Sequence, residues 1–231
     1  MKRRPFLISS FTFLISHFSF LICFAMPASA QWRLGASAGY GYNEYSVDRH
    51  YMVDYRYKGL WGMTAGIAGQ YDIKEWLGVR VEVNWAEKGY RLSRSHEMKT
   101  VDNKTYNHYL QLPVMASFSF GGQQVRGFCN AGVYGAYWLK SHYRGFDVNA
   151  VSDRTYLVER DLDFNDDRDQ RWDCGFVGGI GVEYRFARHW SGQLEGRCYY
   201  STTSTQKRYQ RIRDPRYNTY IGMLATVFYH F

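Results

Sequence analysis

The chain has 231 residues and a formal charge of +8, from 29 Lys and Arg against 21 Asp and Glu. That is a mild basic excess, far from the dense stripe that nucleic-acid binding requires. It is rich in rings (21 Tyr, 15 Phe, 7 Trp) and poor in Pro, and no stretch beyond residue 30 is apolar enough to cross a membrane as a helix.

Residues 1–30 read as a cleaved signal peptide. Lys2, Arg3 and Arg4 form a positive start, Phe6 to Phe24 is apolar, and Pro27-Ala28-Ser29-Ala30 offers a small-residue cleavage site before Gln31. An uncleaved anchor is the rival reading; Ser9, Ser10, Thr12, Ser16, His17 and Ser19 weaken it. Cys23 lacks the small-residue pair of a lipoprotein site. Cleavage removes three basic residues and leaves a charge of about +5, on a domain spanning residues 31–231 that suits one barrel or one large sandwich.

Eight segments alternate with the period of two expected of strands. Trp32, Leu34, Ala36, Ala38, Tyr40 and Tyr42 oppose Arg33, Gly35, Ser37, Gly39 and Gly41. Trp61, Met63, Ala65, Ile67 and Tyr71 oppose Gly62, Thr64, Gly66, Ala68 and Gln70. Leu77, Val79, Val81, Val83 and Trp85 alternate with Gly78, Arg80, Glu82, Asn84 and Ala86. Leu110, Leu112, Val114, Ala116, Phe118 and Phe120 oppose Tyr109, Gln111, Pro113, Met115, Ser117 and Ser119. Val125 to Leu139 is a strand whose faces the pattern leaves blurred. Trp172, Cys174, Phe176, Ile180, Val182, Tyr184 and Phe186 oppose Asp173, Gly175, Gly179, Gly181, Glu183 and Arg185, and Trp190 to Tyr200 sets Gln193, Glu195, Arg197 and Tyr199 on a polar side. The chain closes on Asn218 to Phe231, where Ile221, Met223, Ala225, Val227, Tyr229 and Phe231 make an unbroken apolar face ending in two rings. Such an ending resembles the carboxy-terminal assembly signal of outer-membrane barrels.

The connections decide the architecture. Asp72 to Trp76, Gly121 to Gln124 and Ala187 to His189 are short. Asn43 to Gly59, Lys88 to Asn107, Lys140 to Arg171 and Ser201 to Arg216 are long and polar. Strict long–short alternation is the pattern of tight periplasmic turns and longer outer loops. The expected fold is all-β: an eight-stranded antiparallel up-and-down transmembrane β-barrel in the cell outer membrane, with both ends of the barrel domain on the periplasmic side. Rings at the span ends are expected to form two interfacial girdles. Trp32, Tyr71, Trp76, Phe120, Phe186, Trp190 and Phe231 make the periplasmic one; Tyr40, Tyr42, Trp61, Trp85, Tyr137, Trp172, Tyr200 and Tyr217 make the outer one.

Three stretches carry a family likeness: Tyr109-Leu-Gln-Leu-Pro113, Val81 to Gly89, and Asp173 to Glu183. In order and spacing they resemble the PorT-like outer-membrane β-barrel family of Bacteroidota, usually called porin-like, over essentially the whole of residues 31–231. The resemblance implies an outer-membrane barrel; one namesake is implicated in protein secretion.

Inward-facing Arg80, Glu82, Lys88, Glu183, Arg185, Glu195 and Arg197, with Gln70, Gln111 and Asp173, are either an ion pathway or a plug. Mixed signs in an interior only wide enough for side chains favour a plug. Catalysis is not expected. Ser95-His96-Glu97 points alternate ways on an extended chain, and His50, His96 and His142 lie in outer loops. The acidic loop Asp161–Asp169 suggests a cation, but Asp166 sits where an EF-hand needs its turn glycine, Trp172 where it needs a bidentate Glu, and Arg160 and Arg168 compete. No catalytic, cofactor-binding or metal-binding residue is therefore assigned. The basic loop Lys207–Arg216 is expected either to touch lipopolysaccharide phosphates or to fold over the acidic loop. Cys129, Cys174 and Cys198 are expected to be unpaired and lipid-facing. The leading expectation is a structural, adhesive or envelope-assembly role through the outer loops. Porin-like transport or secretion comes second, a lipid-modifying enzyme third. Partners expected are outer-membrane lipid, lipopolysaccharide and, through the strand ending at Phe231, the barrel-assembly machinery.

Overall fold

The computed structural model describes residues 31–47, 55–94, 102–148, 155–165, 167–207 and 216–231. The proposed leader lies outside them. Nine strands are present among the described residues: β1 (Gln31–Val47), β2 (Tyr55–Lys74), β3 (Leu77–Arg94), β4 (Asp102–Gly121), β5 (Val125–Val148), β6 (Thr155–Asp161), β7 (Trp172–Ala187), β8 (Trp190–Ser201) and β9 (Arg216–His230). Eight of them close a ring, β1-β2-β3-β4-β5-β7-β8-β9, in which every neighbour is antiparallel and β9 returns to β1. Closure leaves no ladder edge facing hydrocarbon, which has no water to satisfy one.

Alternation sets the two faces. Leu34, Met63, Ile67, Val81, Leu112, Ile180, Leu194 and Val227 point outward and are exposed, Ile180 to 72%. Arg33, Thr64, Gln70, Asn84, Gln111, Glu195 and Thr226 point inward and are buried. Among the described residues the outward band between the two rims carries no Asp, Glu, Lys, Arg or His, as expected where one Arg or Lys at mid-membrane costs roughly 2–4 kcal/mol. Aromatic neighbours mark the rims. Trp32 packs on Tyr71 and Trp190 on Tyr229 at one end; Trp61 stacks on Tyr40 and Tyr137 meets Trp172 at the other. Eight residue steps from Trp32 to Tyr40, at ~3.3 Å each, span ~26 Å along the strand, enough for the hydrocarbon core at modest tilt.

The faces of β5, blurred in the sequence, are now plain. Phe128, Tyr134 and Trp138 point inward while Val125, Ala131 and Val133 point out, so rings occupy the side where polar groups were sought. A bulge at Leu139, between the pairs His108↔Lys140 and Tyr109↔Trp138, then switches the parity, and Ser141 faces in. The register of β3 against β4 skips Glu82–Val83 opposite Leu112–Pro113, where Pro113 has no N–H to give. Gly121 takes φ +118, a left-handed conformation that a side chain would strain, and lets Gly122 N–H bond Val125 O at 3.0 Å in the tight β4–β5 turn.

The long outer connections need correction. Asn43 to Gly59, Lys88 to Asn107 and Lys140 to Arg171 were expected as loops, but β1 to β5 run well into them and β6 lies within the third. The barrel wall continues past the outer aromatic rim. Outward side chains meet water there instead of lipid while the inward ones stay polar and buried, so the apolar–polar contrast that reveals a strand disappears. The three free cysteines sit on outward faces, and Cys198 lies opposite Gly178 rather than Cys174.

Candidate functional site in the lumen and outer mouth

The lumen is filled by side chains that reach across it. At mid-height, Arg80 and Glu82 on β3 meet Glu195 and Arg197 on β8. These strands are four positions apart in a ring of eight, on opposite walls. Arg197 nevertheless grips Glu82 through both terminal nitrogens at 2.6 and 2.9 Å and bonds Glu195 at 2.6 Å. Arg80 donates to Gln193 at 2.7 Å and lies 3.8 Å from Glu195. Asn84 donates to Glu82 and Asn130 to Glu195. Two guanidiniums and two carboxylates cancel, and planar forks meeting carboxylates is the geometry in which buried charge is best satisfied.

Two further clusters flank this quartet. Toward the periplasm, Arg33 of β1 bonds Asp72 at 2.6 Å and Glu183 of β7 at 2.9 Å, and Gln193 donates to Glu183. Toward the outside, Lys88 of β3 reaches Asp173 of β7 at 3.1 Å and lies over the rings of Tyr109 and Tyr134. Asp173 also accepts bonds from Tyr134, Ser201 and Thr203. Between Lys88 and the quartet, Tyr134, Tyr199 and Tyr220 pack edge to face.

Six of the seven inward charges read from the sequence, Arg80, Glu82, Lys88, Glu183, Glu195 and Arg197, are buried and paired as Asp173 is. Gln70 and Gln111 are buried too, and Gln70 donates to Asp72. Arg185 stands half-buried at the periplasmic rim instead. Sequence reasoning missed Arg33, Asp72, Asn130 and His230. Arg33 and His230 already lay on inward faces of their strands; their neighbours across the ring did not follow from any single strand.

At the outer end the segment after β6 folds over the lumen. Leu162 N–H bonds Ser141 O, Trp138 N–H bonds Arg171 O, and Gln170 N–H bonds Thr205 O. Arg171 lies between the rings of Tyr137 and Phe164, at 4.6 and 4.3 Å. A cavity of about 370 Å³ remains among Trp138, Phe164, Arg168, Asp169, Thr205 and Arg216.

The acidic and basic outer loops do meet. Asp169 bridges Gln206, and Lys207 N–H bonds Arg168 O at 2.8 Å. Burial raises the Asp169 carboxyl, but the Arg168 hydrogen bond, the Asn165 N–H and the charges of Arg168 and Arg216 outweigh it and hold the carboxyl below its usual value. Asp161 is engaged by Lys140 at 2.7 Å and by His142. The cations expected to compete for these carboxylates thus come partly from β5. His142 sits between Asp161 and Glu159, 3.0 Å from each, and those hydrogen bonds raise its pKa above the ordinary 6.5. His50, the Ser95-His96-Glu97 run, Asp166 and Arg208, Arg211 and Arg213 lie outside the described residues. Ser191 does touch His230 at 2.8 Å with Glu183 nearby, but both approach the same ring nitrogen and Ser191 is fully buried. A triad needs its acid on the other nitrogen.

A closed antiparallel ring, apolar outside, polar inside and rimmed by rings, is a transmembrane β-barrel, and its place is the outer membrane. The family described as outer membrane protein beta-barrel domain matches residues 24–206, and the chain belongs to that family. Among solved structures it is similar to outer membrane protein W of E. coli (18% identity, TM-score 0.46, covering 89% of this chain and all of that one). It is also similar to Neisserial surface protein A (13%, 0.45, 88% and 99%) and to OprG from Pseudomonas aeruginosa (12%, 0.45, 87% and 95%). At such values the likeness adds nothing to what the ring itself establishes. No curated protein matches the chain.

Proposed function

We propose that the barrel is closed to ions and acts from its outer surface, in an adhesive or envelope-assembly role, without catalysis of its own. One observation carries this reading: Arg197 and Glu82 bond directly across the full width of the ring. A conducting path would need water where that pair sits, and eight strands leave space for side chains alone. A porin-like or secretion role requires such a path. Planar-bilayer recording of the purified barrel tests the choice: silence is expected, and unitary current steps in the unaltered protein would overturn it. Lipid A from a deletion strain is expected to keep its mass spectrum, since among the described residues no Ser, His and acid converge at the outer rim.

The PorT-like relationship belongs to the same proposal. Of its three motifs, Val81–Gly89 contributes Glu82 and Lys88 and Asp173–Glu183 contributes Asp173 and Glu183, so they supply the plug. Also proposed are removal of residues 1–30 on export and recognition of the β9 strand ending at Phe231 by the barrel-assembly machinery. Contact of Lys207 with lipopolysaccharide phosphates completes the reading, supported by its exposure at the outer mouth.

A further inference from the structure

Within the membrane band, β5 lies between β4 and β7. Above Tyr137, where its pairing with Trp172 ends, β5 is followed instead by β6, over seven pairs from His142↔Asp161 to Val148↔Thr155. Among the described residues no strand pairs with the far side of β6. An edge of this kind presents a row of unmatched N–H and C=O groups, the template on which an extended chain adds as a new strand. Natural edges are blunted by short length, Pro, bulges and charged side chains, Lys above all. β6 has no Pro, bulge or Lys; its charges are Glu159, Arg160 and Asp161, its ladder with β5 is unbroken in register, and Tyr156 and Leu157 are exposed.

We propose that the free edge of β6 is a strand-addition site for an extended polypeptide segment carrying basic side chains at alternate positions. Ser141 and Gly145 of β5 are buried toward the mouth, so the opposite face of this hairpin carries His142, Arg144 and Phe146 beside Asp161, Glu159 and Leu157. The Glu159 and Asp161 side chains remain 54% and 53% exposed although His142 and Lys140 hold them from the β5 side, and a carboxylate accepts more than two hydrogen bonds. An added strand would lie ~4.8 Å from β6 but ~10 Å from β5. Screening at ~8 Å then makes the adjacent acids, not the cations one strand further, set the sign of the partner. Arg160 is turned to the other face, 5.7 Å from the Tyr143 ring. An apolar residue suits the place opposite Leu157.

This names the partner class for the outer-surface role proposed above and rests on it; current through the barrel tests that role separately. The barrel in neutral phosphatidylcholine nanodiscs is titrated with a labelled peptide of alternating Lys and Val, seven residues long, read by anisotropy. Saturable binding is expected. The same peptide N-methylated at alternate residues, which cannot form a ladder, and an alternating Glu–Val peptide are each expected to bind at least about tenfold more weakly. Glu159→Lys should weaken the Lys–Val peptide similarly while leaving the heat-dependent gel shift of the folded barrel unchanged. Equal binding of the N-methylated or the acidic peptide overturns the proposal, as does no binding by the intact barrel. If binding appears only after residues 208–215 are replaced by a Gly–Ser turn, the edge belongs to the chain's own basic segment and the proposal falls.

Discussion

Two acid–base clusters in this barrel use the same chemistry in opposite surroundings. In the lumen, Arg80, Glu82, Glu195 and Arg197 are no more than 3% exposed and bond to one another, to neutral amides, to Thr226 and to Tyr199, with Arg80 also over the Phe228 ring. On the outer hairpin, Lys140, His142, Glu159 and Asp161 make contacts of similar length with side chains 31–57% exposed. Distance therefore does not rank them; desolvation does. A half-exposed pair exchanges one good environment for another and is weakened by salt. A buried charge that loses its partner keeps the cost of leaving water.

The largest expected effect follows from that difference. Arg197→Ala leaves Glu195 without its main partner and Glu82 with Arg80 as its one cation, and should cost about 3–5 kcal/mol, read as a lower denaturant midpoint for loss of the heat-modifiable band. Replacing all four quartet residues by apolar side chains of similar volume should instead be close to neutral, since what is lost in pairing is regained in desolvation. If Arg197→Ala proves harmless, water already reaches the quartet and the closed lumen fails with it. The next effect is at Lys88. Lys88→Met removes one charged donor from Asp173 but leaves Tyr134, Ser201 and Thr203, so a smaller loss, about 2 kcal/mol, is expected by the same assay.

How much of this was legible beforehand differs between the same two regions. The ring strands, their faces and the inward position of Glu82, Lys88 and Arg197 follow from period-two alternation, because lipid on one side and a packed lumen on the other enforce contrast at each residue. Which charges pair does not follow. Glu82 and Arg197 are 115 residues apart and meet only because ring closure places β3 opposite β8. On the hairpin the alternation itself is lost, since water bathes both faces, so β6 read as loop and Asp161 as the start of the solvated acidic loop Asp161–Asp169. Rings blurred the reading of β5, because Phe128, Tyr134 and Trp138 fill the lumen and leave no polar face to contrast with the apolar one.

The membrane-facing thiols sharpen the inside–outside assignment. Cys174 and Cys198 are exposed on outward faces. In proteoliposomes they should react with a hydrocarbon-soluble maleimide and resist a charged one, and a mass loss of two hydrogens attributable to a disulfide would contradict the structure.

The smallest effect belongs to the outer cluster, where it is set by pH. Hydrogen bonds to Asp161 and Glu159 raise the pKa of His142 above 6.5. A group whose folded pKa is raised adds its stability below the unfolded value and loses it as pH climbs through the folded one. Asp161 behaves oppositely: bonds from Lys140 and His142 lower it from 3.8, so its contribution is present above that value and disappears as pH falls through the lowered one. The β5–β6 hairpin should therefore be tightest from about pH 4 to the middle sixes and loosen on the alkaline side. Amide exchange of β6, corrected for intrinsic rates, should show more protection at pH 5.5 than at pH 8.5, with the difference shrinking in high salt because every partner is half in water. The quartet amides of β3 and β8 should show no such dependence over that range, and a parallel change there would mean that solvent titrates the lumen after all.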